Sequence, residues 1–220
     1  MRLLRRSLAA SAPCRTVSNM TRHRIVAILP SFAGGGAERV TLTLFKLLDQ
    51  QRFQPILIVL NPQGPRLGEV SESLEVVGLN HSRLRSGFLP LIRSLRRIRP
   101  AVVYSTFSYI NLPLLAARPL LGQARLIVRE ANDVSRSLSP ESVWGRLGAR
   151  LYGSADLVIA TSERMENDLL QLGIPRHQLR RLNNPVDEMA IRAAAIPLRR
   201  HPGKGVRFVA AGRLEPAKGF

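Results

Sequence analysis

A chain of 220 residues, 45% of them hydrophobic, can form one or two domains with a sizeable core, which excludes disorder of the whole chain. Its 33 Lys and Arg residues against 15 Asp and Glu give a net charge of +18, which predicts attraction to nucleic acid, anionic lipid or nucleotide diphosphates. Aromatic residues make up only 5% and form no cluster interleaved with arginine, so we expect no nucleic-acid partner.

Cysteine and histidine usage bears on metal binding and compartment. The single Cys14 excludes an intrachain disulfide and any multi-cysteine metal site, and the four histidines show no metal-ligand spacing. We therefore expect no metal and no cofactor. The cysteine count fits a reducing cytosol, so a cytoplasmic location is expected, with a peripheral position on the inner face of the membrane as an option.

The first 22 residues are basic, rich in Ser and Ala, and free of acidic residues. This composition is typical of an organelle transit peptide. The alternative is an over-extended start, because Met20 stands just before the first predicted strand. We favour the second interpretation, which the sequence of the mature amino terminus would test.

The predicted elements alternate between strand and helix along the chain. Strands are predicted from nearly continuous apolar runs at residues 24–30, 55–60, 74–77, 101–104, 125–129, 156–160, 179–182 and 206–211. Helices are predicted at residues 88–98, 112–117, 139–152 and 161–172. A further helix follows the first strand, with one side lined by Val40, Leu44, Leu47 and Leu48.

This alternation predicts an α/β fold: a Rossmann-like, doubly wound parallel sheet. Ligands of such sheets bind at the carboxyl ends of the strands. Segment 186–204 mixes a short helical stretch with Pro and Gly, a composition typical of an interdomain linker.

A glycine loop, Gly34 to Gly36, lies between the first strand and its helix. Its backbone allows an anionic group to approach the helix amino terminus, where N–H groups are free. A turn with no ligand is the alternative. Arg39 occupies the third glycine position of G-x-G-x-x-G, which disfavours a dinucleotide-dependent oxidoreductase.

Four motifs in order resemble those of family 4 (group 1) retaining glycosyltransferases, enzymes of the two-domain GT-B fold. They are Gly-Gly-Ala-Glu-Arg at 35–39, Ala-Asp-Leu-Val-Ile-Ala-Thr-Ser-Glu at 155–163, Leu-Asn-Asn-Pro-Val-Asp at 182–187, and Gly-Arg-Leu at 212–214 with Lys218-Gly219. The resemblance covers nearly everything after Met20.

The resemblance implies a division of the chain into four parts. Residues 1–22 are a basic tail or over-extended start, 23–185 the Rossmann-like acceptor-side domain, 186–204 the linker, and 205–220 the first strand and phosphate loop of a truncated second domain. The family's paired glutamates, which hold the donor sugar, are expected beyond Phe220, so the chain by itself is expected to have little or no transferase activity.

Donor binding is predicted from the resemblance at Arg213 and Lys218, with Gly35 and Gly36 as further phosphate-binding candidates. A nucleotide-sugar donor releases a diphosphate-bearing leaving group, whose charge Arg and Lys can stabilise without a metal. The alternative for both cations is an exposed loop position.

Acceptor or sugar contacts are predicted at polar residues that follow two strands: Glu130, Asn132, Ser105 and Thr106. Related enzymes often carry Glu-His or Glu-Arg-Asn after the later strand, but Ala131 stands in the middle place here. Glu130 therefore either holds a sugar hydroxyl or pairs with Arg129 or Arg136.

Several further positions have two interpretations each. Arg93, Arg96 and Arg97 either contact an anionic membrane or form the solvated outer side of a packed helix. Asp187 either shapes the domain crossing, together with Asn184, or caps a helix. Trp144 is expected in the partial core rather than as a ligand platform.

The function expected from the resemblance is sugar transfer with retention. The donor is a UDP- or GDP-sugar and the acceptor a saccharide or a lipid-linked saccharide, in surface polysaccharide or lipopolysaccharide assembly. The alternative is a non-catalytic sugar-binding or membrane-docking module that keeps only the acceptor-side fold.

Overall fold

The computed structural model describes residues 22–71, 73–130 and 142–195, except for the side chain of Trp144. The described residues up to Val186 form one compact unit, and those from Asp187 belong to a second. The predicted linker beyond residue 195 and the predicted strand at 206–211 lie outside the described residues.

Seven parallel strands form the sheet of the first unit: β1 (His23–Ser31), β2 (Phe53–Asn61), β3 (Glu75–Gly78), β4 (Val102–Ser105), β5 (Arg125–Arg129), β6 (Leu157–Ala160) and β7 (Leu179–Arg181). Their order is β3-β2-β1-β4-β5-β6-β7. The order reverses between β1 and β4, where Ile28 is in register with Ser105. The doubly wound parallel sheet predicted from the sequence is thus confirmed.

Five helices of this unit follow the strands: α1 (Gly36–Lys46), α2 (Leu84–Ile98), α3 (Ser108–Ala116), α4 (Val143–Tyr152) and α5 (Glu163–Gln171). Helix α6 (Glu188–Ala194) belongs to the second unit. Asp187 accepts a hydrogen bond from the Ala190 N–H at 3.0 Å, as an N-cap does, so the predicted capping role is observed.

Two apolar clusters cover the two faces of the sheet. On one face, Val26, Ile58, Val103 and Val128 pack with residues of α2 to α5. On the other face, Leu29, Leu57 and Val59 pack with Leu42 and Phe45 of α1. Burial on both faces explains why the strands are continuous apolar runs in the sequence.

The apolar side predicted for α1 was right in part. Leu44 and Leu48 are partly buried and pack against the apolar cluster of this face. The fully buried residues of the helix are Glu38, Thr41, Leu42 and Phe45, whereas Leu47 is its C-cap and is 63% exposed.

Several predicted helix ends also shift. Helices α2 and α3 each begin four residues earlier than predicted, at Leu84 and Ser108. The predicted start of α4 at 139–141 lies outside the described residues, and Ser142 is the N-cap of the observed helix. Helix α5 ends as predicted, since Gly173 follows with a positive φ of 97°.

Candidate functional site

The carboxyl edge of the sheet gathers the polar residues that follow the central strands. Strand β1 leads into the glycine loop, β4 ends at Ser105 and is followed by Thr106, and β5 ends at Arg129 and is followed by Glu130. A crevice is expected here, because the connections from β1 and β4 leave toward opposite faces of the sheet.

The glycine loop is held on one side by the segment after β2. The Phe32 N–H donates to the Gln63 carbonyl at 3.0 Å, and the Arg66 N–H donates to the Phe32 carbonyl at 3.1 Å. Gly64 has a φ of 138°, and a Cβ there would lie 2.3 Å from the Phe32 carbonyl oxygen, so no other residue fits. The Arg66 guanidinium also donates to the Gly34 carbonyl at 3.3 Å.

The amino terminus of α1 is open. Gly35 is its N-cap, with no side-chain cap, and an added Cβ at Gly36 would meet nothing within 4 Å. The first-turn N–H groups of a helix lack intrahelical partners and lie at the positive end of the dipole. At Gly36 the loop is therefore compatible with the predicted approach of an anion.

A buried carboxylate lies beside this loop, which the sequence analysis missed. Glu38 is only 6% exposed, and its Oε2 lies 2.1 Å from the position that a Cβ on Gly35 would occupy. Gly35 is thus needed to leave room for the Glu38 side chain. The charge of Glu38 is also felt by Tyr109 on α3, whose pKa is raised mainly by burial and additionally by Glu38.

Glu130 is the centre of a buried hydrogen-bond network. Its Oε2 accepts from the Ser108 hydroxyl at 2.8 Å, and its Oε1 accepts from the Asn111 amide at 2.6 Å and from the Tyr152 hydroxyl. The Glu130 N–H donates to the Ile159 carbonyl at 3.0 Å. Glu130 therefore ties the end of β5 to α3 and α4 through its carboxylate and to β6 through its backbone.

Burial dominates the acid–base behaviour of this network. It raises the pKa of Glu130 above the ordinary value, although hydrogen bonds from Tyr152, Asn111 and Ser108 and the charge of Arg129 act in the other direction. The pKa of Tyr152 is also raised, first by burial and then by the charge of Glu130. The tyrosine is thus a hydrogen-bond donor at neutral pH.

Arg129 forms a second network on the same edge. It is only 5% exposed, and its guanidinium donates to the Thr106 hydroxyl at 2.6 Å and to the Asn184 side-chain oxygen. Burial raises the pKa of the neighbouring Tyr104, against the charge of Arg129. The Asn184 contact fixes the Asn-Pro motif to the end of β5.

Two of the predicted acceptor residues, Thr106 and Glu130, lie within these networks. Ser105, Thr106 and Glu130 are fully buried, and within the described ranges the Ser105 hydroxyl has no hydrogen-bond partner. A direct contact of these residues with a sugar stays a prediction. Of the two alternatives for Glu130, neutral donors rather than an arginine occupy its oxygens in the described part of the chain.

The remaining predicted residues are either outside the described part of the chain or on α2. Asn132, Arg213 and Lys218 are outside the described residues, as is Arg136. Arg93, Arg96 and Arg97 are exposed on α2, away from its buried side at Leu91, Ile92 and Leu95, so the predicted polar side is observed.

The sequence analysis missed the partners of Glu130, which are Ser108, Asn111 and Tyr152. The spacing of Ser108 and Asn111, three residues apart and just after a strand, was the one available signal, because such residues share a helix side. Tyr152 was assigned only as the end of a helix.

The described residues contain neither a candidate metal site nor a membrane-spanning helix. Across residues 22–71, 73–130 and 142–195, no group of His, Cys, Asp and Glu could hold a metal ion. Among the helices in the same ranges, none has the length and apolar character needed to span a bilayer.

Comparison with solved structures places this sheet among GT-B glycosyltransferases. The chain is similar to Anabaena Alr3699/HepE in complex with UDP and glucose, at a TM-score of 0.58 and 19% identity over 76% of this chain. It is also similar to the lipopolysaccharide outer core galactosyltransferase WaaB, at a TM-score of 0.53 and 15% identity over 74% of this chain. These matches cover 45% of the HepE chain and 46% of the WaaB chain, so this chain spans less than half the length of either protein.

The sequence comparison identifies the family. The model for Glycosyltransferase Family 4 matches residues 34–189, which run from the glycine loop through all the strands after β1 to α6. The chain belongs to glycosyltransferase family 4, and the predicted resemblance is confirmed. A comparison with curated protein sequences found no match.

Proposed function

We propose that this protein supplies the acceptor-side half of a retaining glycosyltransferase that uses a UDP- or GDP-linked sugar. The observation that carries the proposal is the family match over residues 34–189. Support also comes from HepE, whose structures hold UDP with glucose and UDP-glucose on a similar fold.

The acceptor is proposed to be a saccharide or a lipid-linked saccharide in surface polysaccharide or lipopolysaccharide assembly. The similarity to WaaB, a lipopolysaccharide outer core galactosyltransferase, supports this substrate class. A cytoplasmic location, at the inner face of the membrane, belongs to the same proposal.

The chemistry proposed for the donor requires no metal. As the glycosidic bond breaks, negative charge develops on the departing diphosphate, and fixed cations stabilise it in a cleft from which water is excluded. Arg213 and Lys218 are proposed for this role, with Gly35 and Gly36 as further phosphate-binding candidates. An added Cβ at Gly36 would meet nothing within 4 Å, so the helix is open at that residue.

The hydrogen-bond networks of Glu130 and Arg129 are proposed to position the loops that receive the acceptor. Glu130 holds α3 and α4 to the end of β5, and Arg129 holds the Asn-Pro motif to the same edge. Both anchors are buried, so they keep the connecting loops in a fixed geometry for an acceptor. Correct placement of reacting groups supplies a large part of enzymatic rate enhancement.

Turnover by these 220 residues alone is proposed to be low, because the paired glutamates of the family are expected outside them. A non-catalytic sugar-binding module stays the alternative.

The test is a donor panel of UDP-glucose, UDP-galactose, UDP-N-acetylglucosamine and GDP-mannose with saccharide and lipid-linked acceptors. The longest product of the gene is assayed by released nucleotide, and the anomeric configuration of the product is read by NMR. We expect acceptor-dependent release of nucleotide and an α-linked product from an α-linked donor. Saccharide binding without nucleotide release would support the module instead, and an inverted product would refute retention.

A further inference from the structure

The amino-terminal edge of the sheet, opposite to the candidate site, carries a strongly basic cleft. Its volume is about 1060 Å³, and five arginines line it together with His23: Arg22, Arg24, Arg96, Arg99 and Arg125. We call this feature the arginine cleft. The residues come from the starts of β1 and β5 and from the carboxyl end of α2, so the fold brings together positions far apart in sequence.

The positive charge of the arginine cleft is little compensated. No acidic residue lines it, and in the described part of the chain no ion pair joins Arg22, Arg96 or Arg99 to a carboxylate. Asp156 is within electrostatic reach of Arg125 but is held by two hydrogen bonds from Arg118, at 2.7 and 3.1 Å.

Two structural roles explain part of this cluster but not all of it. The Arg24 guanidinium donates to the Ile98 carbonyl at the end of α2, and cations near a helix carboxyl terminus are favourable to its dipole. Glu75 lies in an adjoining cleft with Arg22 and Arg24, where it accepts a hydrogen bond from Gln54. Arg96, Arg99 and Arg125 remain exposed, and their mutual repulsion is unrelieved in this region.

The wall of the cleft also contains backbone geometry suited to an anion. Leu121 has φ −96° and ψ 2°, and Gly122 follows with φ 64°. Successive residues of right-handed and left-handed conformation form a nest, a concavity whose N–H groups converge on an anion. Leu121, Gly122 and Gln123 all line the arginine cleft. The Leu121 N–H already donates to the Arg118 carbonyl at 3.0 Å, whereas the Gly122 and Gln123 N–H groups bond to no acceptor among the described residues and are available to an anion.

We propose that the arginine cleft is a binding site for a phosphate-bearing anion, separate from the donor-sugar site. Guanidinium groups recognise phosphate through paired, charge-assisted hydrogen bonds, and a nest adds neutral donors of fixed geometry. The phosphate belongs either to a free oligophosphate or to a phospholipid headgroup. The proposal does not depend on the transferase activity, because the cleft lies at the edge opposite to the loops that bind substrates in this type of sheet.

The experiment compares two double variants of the full 220-residue chain that remove the same charge. Arg96→Gln with Arg125→Gln changes the arginine cleft, whereas Arg93→Gln with Arg97→Gln changes α2 outside the cleft. Tripolyphosphate binding is measured by calorimetry, and lipid binding by co-sedimentation with phosphatidylcholine vesicles that contain phosphatidic acid. Sulfate at equal ionic strength is the competing anion, and circular dichroism checks the fold.

We expect the cleft variant to weaken binding by about tenfold for each arginine removed, as loss of a charged hydrogen bond implies. The control variant should stay within about threefold of the unchanged chain. Binding of tripolyphosphate identifies a free oligophosphate as ligand, and binding of vesicles alone identifies a headgroup. Equal losses in both variants, displacement by sulfate, or no binding of either probe would overturn the proposal. If Arg125→Gln disturbs folding, Arg96→Gln with Arg99→Gln replaces it with the same expectation.

Discussion

Removal of the Glu130 carboxylate tests whether this buried network holds the candidate site together. In Glu130→Ala, the Tyr152 hydroxyl, whose residue is fully buried, loses its acceptor. Asn111 keeps a second acceptor, the Arg129 carbonyl at 3.1 Å, and the Ser108 hydroxyl is only partly buried. The expected loss of unfolding free energy is therefore smaller than that for removal of three buried hydrogen bonds.

The magnitude follows from these unequal losses. One orphaned buried donor and a small cavity, offset by relief of the buried charge, amount to about 3 kcal/mol of unfolding free energy. Glu130→Gln keeps an acceptor oxygen at the Oε1 position for Asn111 and Tyr152, and the Ser108 hydroxyl can turn to accept from the new amide. We expect this variant to lose only about 1 kcal/mol.

Urea denaturation followed by circular dichroism measures both variants, with the slope m as a check that the unfolded states are comparable. Glu69→Ala is the matched control, because Glu69 is an exposed carboxylate whose one ion pair within the described ranges is with Arg66. Its loss should be below about 0.5 kcal/mol. Equal destabilisation by Gln and Ala, or a loss below about 1 kcal/mol for Ala, would refute the assigned network.

The same variants carry a pH signature. Burial raises the pKa of Glu130, so the folded protein holds this proton more tightly than the unfolded chain does. The associated stability is present below the ordinary glutamate pKa and is lost as the pH rises through the folded pKa. The stability of the unchanged chain relative to Glu130→Gln should therefore increase on mild acidification, and a constant difference would contradict the assignment.

Three further predictions concern Gly35, Gly36 and Asp156. Gly35→Ala should lose about 1 kcal/mol of unfolding free energy, because the new Cβ displaces the Glu38 carboxylate. Adding Glu38→Ala to the same chain should reduce that loss. If Gly35→Ala is as stable as the unchanged chain, the contact with Glu38 is contradicted. Gly36→Ala, which meets open space in the first helical turn, should be neutral or gain up to about 1 kcal/mol in the same denaturation experiment. Burial opposes ionisation of Asp156, but its bonds from Arg118 and from the Leu126 N–H prevail and lower its pKa. The ionised Asp156 contributes about 1 kcal/mol to the free energy of unfolding at this partly exposed site, and the contribution is lost as the pH falls through the folded pKa. Asp156→Asn should therefore flatten the acid side of the plot of stability against pH. An unchanged plot would refute the pairing with Arg118.

Much of the fold could be predicted from the sequence because both faces of a parallel sheet are buried. Continuous apolar runs such as 125–129 have no other stable environment, and the observed β5 has the predicted bounds. The apolar side of α1 was predicted only in part. Leu44 and Leu48 do pack against the apolar cluster, but contact with the sheet makes Leu42 and Phe45 the buried centre and leaves Leu47 exposed.

The candidate site was predicted in position but not in its connections. Glu130 follows a strand, which placed it at the carboxyl edge. Its burial and its bond to Tyr152 depend on where α4 packs, and no local pattern records a contact between residues 22 positions apart. Glu38 was quoted within the motif at 35–39 but was given no role, because a charged residue in the first turn of a helix is ordinarily exposed.

Nucleotide release by Arg213→Ala and Lys218→Ala, each in the longest product of the gene, tests the donor half of the proposal most directly. Both cations are proposed to stabilise the departing diphosphate, so kcat should fall by about 100-fold or more in each variant. An Arg150→Ala variant, which removes an exposed cation of α4 outside the family motifs, is the matched control for loss of charge. A severe and specific loss in the first two variants is the predicted result, and near-normal turnover in either would contradict the proposed role of that cation.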